Sequence, residues 1–258
     1  MNVLQSLTEL YNSQDRDSIL RDLARRIMTN LEHMKRVTIY DIAELTNSSR
    51  TTVWRLVKKL GYESFSDFKF AIQSAASQYT YYNRLLDASK SKPASSLVAE
   101  MRNQMAEAER IISENVSAEL IEELAQALSY ADKIYFFMPF RSSCIYSFQQ
   151  NLWKSGKETC YSCLIPDMLD AADDLDENSV VIMSTIEFVE TIDMTRVFQK
   201  VQAAGSTIWL TGHMTSKFSN YVHRQILTVE TTPAAWLLAF DCFIITLSEH
   251  YRSKYIGS

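Results

Sequence analysis

The sequence predicts an all-helical N-terminal domain joined to a C-terminal α/β domain with a five-stranded, doubly wound parallel sheet. Two patterns lead to this prediction. Before residue 70, apolar residues recur at intervals of three and four, as on one face of an amphipathic helix. Beyond residue 117, short apolar runs alternate with helical segments, which is typical of a parallel sheet covered on both faces. The 258 residues have room for one large domain or two ordinary ones.

The composition and the charge distribution suit a folded chain with two unlike halves. Hydrophobic residues make up 47% of the chain, with only 5 Gly and 4 Pro, which excludes disordered, collagen-like and low-complexity classes. Residues 1–92 hold 14 basic and 10 acidic side chains, whereas the remainder holds 12 and 21. A basic N-terminal part and an acidic C-terminal part suggest domains with different partners.

Nothing in the sequence indicates a membrane or secretory protein. Its start lacks a basic region followed by a long apolar run. The most apolar stretch, residues 234–247, is too short to span a bilayer and contains Asp241. The 4 Cys have no framework spacing, and Cys160 and Cys163 would point to opposite faces of a strand. We therefore expect a reduced, cytoplasmic protein without a metal or other cofactor.

The N-terminal domain is predicted to contain three helices in succession. Residues 20–31 carry a helical apolar stripe. A shorter helix begins at the capping residue Thr38, and residues 46–48 form a turn. The third helix covers about residues 49–59 and is stopped by Gly61, after which an aromatic cluster closes the domain.

The second and third of these helices meet the requirements of a helix-turn-helix. Ala43 is small where the two helices cross, and Asn47 tolerates the positive φ that the turn needs. Val53 and Leu56 supply apolar anchors at the required offsets. Three independent requirements are met together, so the motif predicts a domain that binds double-stranded DNA.

Helical geometry places basic and polar residues on the outer side of the third helix. Four basic residues and no acidic one lie between residues 50 and 59, as expected where a helix enters the major groove. Arginines there can bind guanine, lysines suit phosphates, and Trp54 contacts a thymine methyl or a neighbouring subunit. The alternative is a solvated basic face on a helical bundle. The predicted DNA-binding residues are Ser49, Arg50, Thr51, Trp54, Arg55, Lys58 and Lys59.

A polar segment around Pro93 divides the chain. We expect a helix-turn-helix domain over residues 1–88, a linker and connecting helix over 89–116, and a C-terminal domain over 117–258. Self-association is expected because paired half-sites require two recognition helices. The stripe on the connecting helix is either core or subunit interface, and the last helix is a second candidate interface. The two stripes comprise Leu97, Met101, Met105, Ala108 and Ile112, and Trp236, Leu237, Phe240, Phe243, Ile244 and Leu247.

Five short apolar runs are predicted to form the C-terminal sheet. Each is followed or preceded by a helical pattern, which favours parallel pairing. The predicted strands are residues 134–137, 159–164, 180–183, 207–210 and 225–229.

The run from Ser49 to Lys69 resembles the RpiR family of bacterial transcription regulators. The resemblance rests on three elements present in this run, Ser-x-x-Thr-Val-x-Arg, Lys-Leu-Gly-Tyr and Phe-x-x-Phe-Lys. Residues 131–137 resemble the first strand of the family's C-terminal domain. The resemblance implies a sugar isomerase (SIS) domain that senses phosphosugars. It therefore implies a non-enzymatic regulator of carbohydrate metabolism genes that binds its operator as a homodimer or tetramer.

Two loops depart from the pattern of that family. The family has glycine in a phosphate-binding loop after the first strand and in a second loop, whereas residues 138–143 and 184–191 contain none. Glu187 would repel a phosphate, and Arg141 either binds an anion or pairs with Glu187 or Glu190. The domain therefore senses a phosphosugar, takes another ligand or serves only dimerisation. The candidate ligand residues are Arg141, Ser142, Ser143, Ser184, Thr185 and His213.

Catalysis is not indicated by any arrangement of residues in the sequence. There is no Ser, His and Asp order and no placed pair of acids. The rival interpretation is a sugar-phosphate isomerase with an accessory domain, which the missing loop glycines disfavour. His213 would lie at the carboxyl edge of the sheet, where ligands bind in such folds.

Overall fold

The computed structural model describes residues 3–77, 86, 93–184, 194–212, 218–227 and 231–256. The chain forms two compact units, one built mainly from residues 1–83 and the other from most of residues 84–258. The predicted linker at residues 89–92 lies outside the described residues. Within the described part of the chain, no helix combines the length and apolarity needed to cross a membrane.

The N-terminal unit is helical, and its apolar stripes meet in one core. Leu7, Leu23 and Leu56 are fully buried there, and burial of each such side chain contributes about 1.5–3 kcal/mol. The stripe predicted over residues 20–31 lies on the second helix and faces this core. The described elements are α1 (Val3–Ser13), α2 (Ile19–Thr29), a 3-10 helix (Leu31–Arg36), α3 (Ile39–Leu45), α4 (Arg50–Lys59) and α5 (Phe65–Ser77).

The chain beyond residue 93 alternates helices and strands, as predicted. The described helices are α6 (Ala94–Asn115), α7 (Ala118–Tyr130), α8 (Ser143–Lys154), α9 (Ile165–Ala171), a 3-10 turn (Ala172–Asp174), α10 (Thr195–Ala203) and α11 (Pro233–Tyr255). The described strands are β1 (Lys133–Phe137), β2 (Glu158–Ser162), β3 (Ser179–Ser184), β4 (Thr207–Thr211) and β5 (Arg224–Ile226).

The five strands form one parallel sheet in the order β2-β1-β3-β4-β5. Consecutive residues of β1, β3 and β4 are buried, so both faces of the sheet are covered. The strand order reverses between β1 and β3, and ligands bind in such folds at the carboxyl ends of the strands beside this switch point. The predicted fold class is confirmed.

Two strands are shorter than predicted. The strand β2 ends at Ser162, whose carbonyl accepts a hydrogen bond from Met138 N–H, and Cys163 and Leu164 lie beyond the ladder. The strand β5 ends at Ile226 because Leu227 has a φ of 56°, which breaks the extended conformation. Residues 228 and 229, included in the predicted strand, lie outside the described residues.

The apolar stripes predicted on two helices need correction. On α6 the buried residues are Gln104, Ala108 and Ile111, whereas Leu97 and Met105 are exposed. The core alternative is therefore wrong for Leu97 and Met105, because the polar Gln104 takes a buried position on α6 and accepts a hydrogen bond from the Thr232 hydroxyl, whereas the interface alternative stays a prediction. On α11 the side chains of Trp236, Phe240, Phe243, Ile244 and Leu247 are buried within this chain, so they form core rather than an exposed interface. Leu237 is half-buried.

Candidate functional site

A capping box fixes the start of α3, the first helix of the helix-turn-helix. The Thr38 hydroxyl accepts a hydrogen bond from Asp41 N–H at 3.3 Å, and the Asp41 carboxylate accepts one from Thr38 N–H at 2.7 Å. The hydrogen bonds that Thr38 N–H and, at 2.8 Å, the Thr38 hydroxyl donate to the Asp41 carboxylate hold the pKa of this carboxyl below its usual value. A helix of 7 residues needs such contacts, because short helices are marginal on their own.

The turn between α3 and α4 contains the left-handed residue that the motif requires. Asn47 has a φ of 49°, a conformation that Asn adopts more readily than most residues with a side chain. Ser48 N–H donates to the Ala43 carbonyl at 2.8 Å, and the Thr46 hydroxyl donates to the Ile42 carbonyl at 2.5 Å. The interpretation of Ala43 and Asn47 as helix-turn-helix residues agrees with this geometry.

Helix α4 begins at its capping residue and has one buried face. The Ser49 hydroxyl accepts a hydrogen bond from Thr52 N–H at 3.1 Å. The helix ends before Gly61, whose φ of 91° suits glycine at that position. The core-facing residues are Val53, Leu56, Val57 and Leu60.

The opposite face of α4 carries the residues predicted to contact DNA. Lys59 is half-buried, whereas the others are exposed. The ionisable residues of α4 are all basic, and one of them, Lys59, is paired with the Asp167 carboxylate at 2.6 Å. The exposed residues are Ser49, Arg50, Thr51, Trp54, Arg55 and Lys58.

Arg50 is held by a residue that the sequence analysis did not select. Its guanidinium carbon lies 4.8 Å from the centroid of the Tyr40 ring, and its Nη1 donates to Tyr40 Oη at 3.0 Å. Tyr40 lies on α3 and is 62% exposed. The signal that points to it is a large aromatic residue two positions before Ile42, which is buried on the other side of the same helix.

The remaining basic side chains of α4 differ in their contacts. Lys58 Nζ lies 4.9 Å from the centroid of the Trp54 ring and donates to the Glu63 carbonyl at 2.7 Å. Trp54 is 36% exposed, and Lys58 covers part of its ring. Among the described residues, the Arg55 guanidinium has no hydrogen-bond or ion-pair partner. Arg55 is therefore available for a contact outside the chain.

In the C-terminal unit, Ser142 lies at the switch point of the sheet and caps α8. Its hydroxyl accepts a hydrogen bond from Cys144 N–H at 3.2 Å and donates to Asp241 Oδ1 at 2.7 Å. Burial and the nearby Asp241 charge raise the pKa of the Cys144 thiol. A carboxylate of the chain itself therefore lies at the N-terminus of α8. The sequence offered one signal for it, since Asp241 is the one charged residue in the stretch 234–247.

The loop between β1 and α8 is held by aromatic side chains. The Arg141 guanidinium lies over the rings of Tyr161 and Tyr146, at 4.8 Å and 5.8 Å from their centroids, and donates to the Tyr161 carbonyl at 3.2 Å. Tyr161 Oη accepts a hydrogen bond from Ser142 N–H at 2.8 Å and donates to the Phe140 carbonyl at 2.6 Å. These contacts, rather than glycines, fix the path of the loop.

The other predicted ligand residues are only partly described. Ser143 is exposed at the start of α8. Ser184 is buried at the end of β3, beside the loop that follows β1, because Met183 pairs with Phe137 in the sheet. Thr185 and His213 lie outside the described residues, as do Glu187 and Glu190, the predicted alternative partners of Arg141.

Cysteines and acidic residues give no sign of a metal centre in the part of the chain that the structure describes. All four thiols, including Cys160 and Cys163, are free. No group of three or more His, Cys, Asp or Glu side chains in the described ranges is placed to hold a metal ion.

A helix-turn-helix with an exposed basic face, followed by a doubly wound α/β sheet, defines a two-domain helix-turn-helix protein. Residues 1–79 match the sequence model of the helix-turn-helix domain of the rpiR family. The N-terminal part of this chain is therefore an rpiR-family helix-turn-helix domain, which confirms the resemblance found in the sequence. No curated protein matches the sequence.

Several solved structures are similar to this chain at low identity. The Vibrio vulnificus NanR protein complexed with ManNAc-6P is 16% identical with a TM-score of 0.49, over 98% of this chain and 92% of that one. The sugar isomerase domain of an RpiR transcription factor from Sphaerobacter thermophilus is 13% identical with a TM-score of 0.49, over 61% and 90%. The C-terminal domain of glucosamine-fructose-6-phosphate aminotransferase from Francisella tularensis is 14% identical with a TM-score of 0.42, over 84% and 49%.

Proposed function

We propose that the protein is a transcription regulator that binds double-stranded operator DNA through α4. The observation that carries the proposal is the outer face of α4, which exposes Arg50, Arg55 and Lys58 and no acidic residue of that helix, within an rpiR-family helix-turn-helix domain. In such motifs the second helix enters the major groove with its N-terminal residues toward the base edges. A regulator of this kind acts in the cytoplasm, where its operator lies.

The residues of α4 take different roles in this proposal. Arg50 and Arg55 carry guanidinium groups that can bind the O6 and N7 atoms of guanine in bidentate fashion. Ser49 and Thr51 lie at the start of the helix, where backbone N–H groups and hydroxyls bind phosphate. Trp54 presents an apolar ring to a thymine methyl or to a neighbouring subunit. Lys58 and Lys59 contribute attraction to phosphates and salt dependence.

We also propose that two or more copies bind together. A single recognition helix covers one half-site, and paired half-sites about 34–36 Å apart require a symmetric pair of helices. The exposed apolar residues Leu97, Val98 and Met105 on α6 support an interface on that helix. A homodimer or a tetramer meets the requirement.

The C-terminal domain is proposed to bias operator binding in response to a phosphosugar or related ligand, which would place the regulator in carbohydrate metabolism. The ligand would bind at the carboxyl edge of the sheet. It alters DNA binding only if it binds the competent and incompetent states unequally. The proposed ligand residues are Arg141, Ser142, Ser143, Ser184, Thr185 and His213.

One contact favours a second candidate role for this domain. Asp241 already accepts the hydrogen bond of the Ser142 hydroxyl, so a phosphate at the N-terminus of α8 would meet a like charge. This contact favours a ligand without a phosphate at that position, or a domain that serves only self-association. Turnover of ketose and aldose phosphates by the purified protein would instead favour the isomerase interpretation.

Operator selection tests the main proposal. The full chain is used to select duplexes from a random pool, and the affinity of the selected duplex is then measured for the wild type and for Arg55→Ala. Loss of one bidentate arginine contact costs about 1–3 kcal/mol, which is roughly 5- to 150-fold in affinity. Failure of the wild type to enrich any sequence would contradict the proposal.

Arg25→Ala is the matched control for charge. Arg25 lies on α2, is exposed and pairs with Asp22 at 2.6 Å. The substitution removes the same positive charge from the same domain but outside the helix-turn-helix. We expect Arg25→Ala to keep the operator preference of the wild type, and an equal loss in both variants would mean that α4 does not read the sequence.

A further inference from the structure

We infer that Tyr40 is a positioning residue that orients Arg50 for operator recognition. The inference rests on the proposed function, because it concerns the same DNA-binding surface. It adds a residue outside α4 to that surface, on the helix that precedes the turn.

Tyr40 is exposed although its ring is large and apolar. It is the second residue of α3, and 62% of its surface is open to solvent. Ile42, two residues further along, points away from Tyr40 and is buried, as is Ala43. The contribution of Tyr40 to the core is therefore small, and among the described residues its side-chain hydrogen bond and its cation–π contact are both with the Arg50 guanidinium.

Two kinds of contact act on the same guanidinium. The Arg50 Cζ atom lies 4.8 Å from the ring centroid, within the range of cation–π attraction, and Nη1 donates to Tyr40 Oη at 3.0 Å. The two residues are ten positions apart in the chain, and the turn at Asn47 brings their helices together. This stack of the Arg50 guanidinium on the Tyr40 ring therefore depends on how the two helices of the helix-turn-helix pack together, and not on contacts within a single helix.

The stack leaves the groups needed for DNA binding available. A guanidinium has five N–H donors, and the contact with Tyr40 uses one of them. Arg50 is also the first residue of α4, the end that faces the base edges in this class of motif. Holding its side chain before DNA arrives reduces the conformational freedom lost on binding.

Four variants of the full-length protein test the inference with the selected operator duplex. They are Tyr40→Phe, Tyr40→Ala, Arg50→Ala and the double variant of Tyr40→Ala with Arg50→Ala. Tyr40→Phe keeps the ring under the guanidinium and removes the hydroxyl, so we expect a loss of about two-fold in affinity. Tyr40→Ala removes both contacts, and we expect a loss of about two- to five-fold together with weaker discrimination at the base pair that Arg50 reads.

The double variant carries the decisive comparison. If Tyr40 acts through Arg50, Tyr40→Ala has no further effect once Arg50 is alanine, and the two single losses do not add. Additive losses, or an unchanged affinity and base preference in Tyr40→Ala, would overturn the inference. Because Tyr40 is exposed, thermal unfolding of Tyr40→Ala is expected to match the wild type. If it does not, Tyr40→Phe still tests the hydroxyl with the ring in place.

Tyr11→Phe supplies a matched control. Arg21 lies over the Tyr11 ring at 4.5 Å, in the same domain but on α1 and α2. Removing this hydroxyl is expected to leave operator affinity and base preference unchanged. A wild type without any sequence preference would refute the proposed function itself. If the wild type and Arg55→Ala behave as expected but the Tyr40 variants bind like the wild type, only the role of Tyr40 is refuted.

Discussion

Replacing Asp241 by Asn is expected to lower the stability of the C-terminal domain. Asp241 accepts a hydrogen bond at 2.7 Å from the hydroxyl of Ser142, the residue that caps α8. Ser142 is buried and Asp241 is half-buried. Because Asn has nearly the same size and keeps an acceptor oxygen, the substitution removes mainly the negative charge at the start of the helix.

The size of the effect follows from two contributions. A hydrogen bond to a charged acceptor contributes about 1.5–3 kcal/mol, against about 1 kcal/mol for a neutral pair. A negative charge near a helix N-terminus contributes about 0.3–1 kcal/mol. Since Asp241 remains partly in contact with solvent, we expect a total loss of about 1–2 kcal/mol. For a domain of roughly 150 residues this lowers the Tm by about 2–8 °C.

Scanning calorimetry of the wild type, Asp241→Asn, Ser142→Ala and the double variant measures this loss. The transition of the C-terminal domain is expected at lower temperature in both single variants. Because the two side chains contact each other, their effects should not add. Cys242→Ser changes the neighbouring exposed residue and serves as the control with an unchanged Tm. An Asp241→Asn transition at the wild-type temperature, or strict additivity, would refute the stabilising role of the carboxylate.

Three further predictions concern the helix-turn-helix and the sheet edge. Thr38→Ala removes the cap of α3 and should lower the free energy of unfolding by about 1 kcal/mol in chemical unfolding. Because the folded pKa of Asp41 is lowered, the stabilising effect of its carboxylate is complete above the unfolded pKa and is lost as the pH falls through the lower folded pKa. The difference in the free energy of unfolding between variant and wild type should therefore shrink in acid. Asn47→Ala should destabilise the N-terminal domain by about 1 kcal/mol, whereas Asn47→Gly should not, because φ is 49° there; equal unfolding midpoints for both variants would exclude backbone strain as the cause. A phosphosugar at 100 times its Kd should stabilise the wild type by about 2.7 kcal/mol in a thermal-shift assay but not Arg141→Ala, and the same shift in both proteins would exclude Arg141 as a ligand residue.

Most of the helix-turn-helix could be predicted because its determinants are local. The cap at Thr38, the turn at Asn47 and the anchors Val53 and Leu56 act over fewer than 20 residues, and each depends on the chemistry of one residue type. The five strands could be predicted for a similar reason, since buried parallel strands are continuous apolar runs. Their ends depend on single backbone angles, such as φ at Leu227, which the composition of the run does not show.

The arrangement of the sheet edge could not be predicted, because its contacts join distant parts of the chain. Ser142 and Asp241 are 99 positions apart, and the hydroxyl of Tyr161 reaches the loop from the neighbouring strand. An apolar pattern places α11 in the core but does not show which strand end Asp241 lies beside. The buried face of α6 was missed for a related reason, because Gln104 takes a core position through hydrogen bonds with side chains that no periodicity identifies.

The sequence pattern places both arginines of α4 on its outer face, but their side chains have different contacts in the structure. Both lie on the outer face, yet Arg50 rests on Tyr40 whereas Arg55 has no hydrogen-bond or ion-pair partner within the described residues. An arginine side chain carries about 2 kcal/mol of rotamer entropy, and a free one loses it only when it binds. Arg50 has already lost part of this freedom on folding. A contact from Arg50 to the operator therefore yields more net affinity than an equivalent contact from Arg55, although the sequence pattern treats the two residues alike.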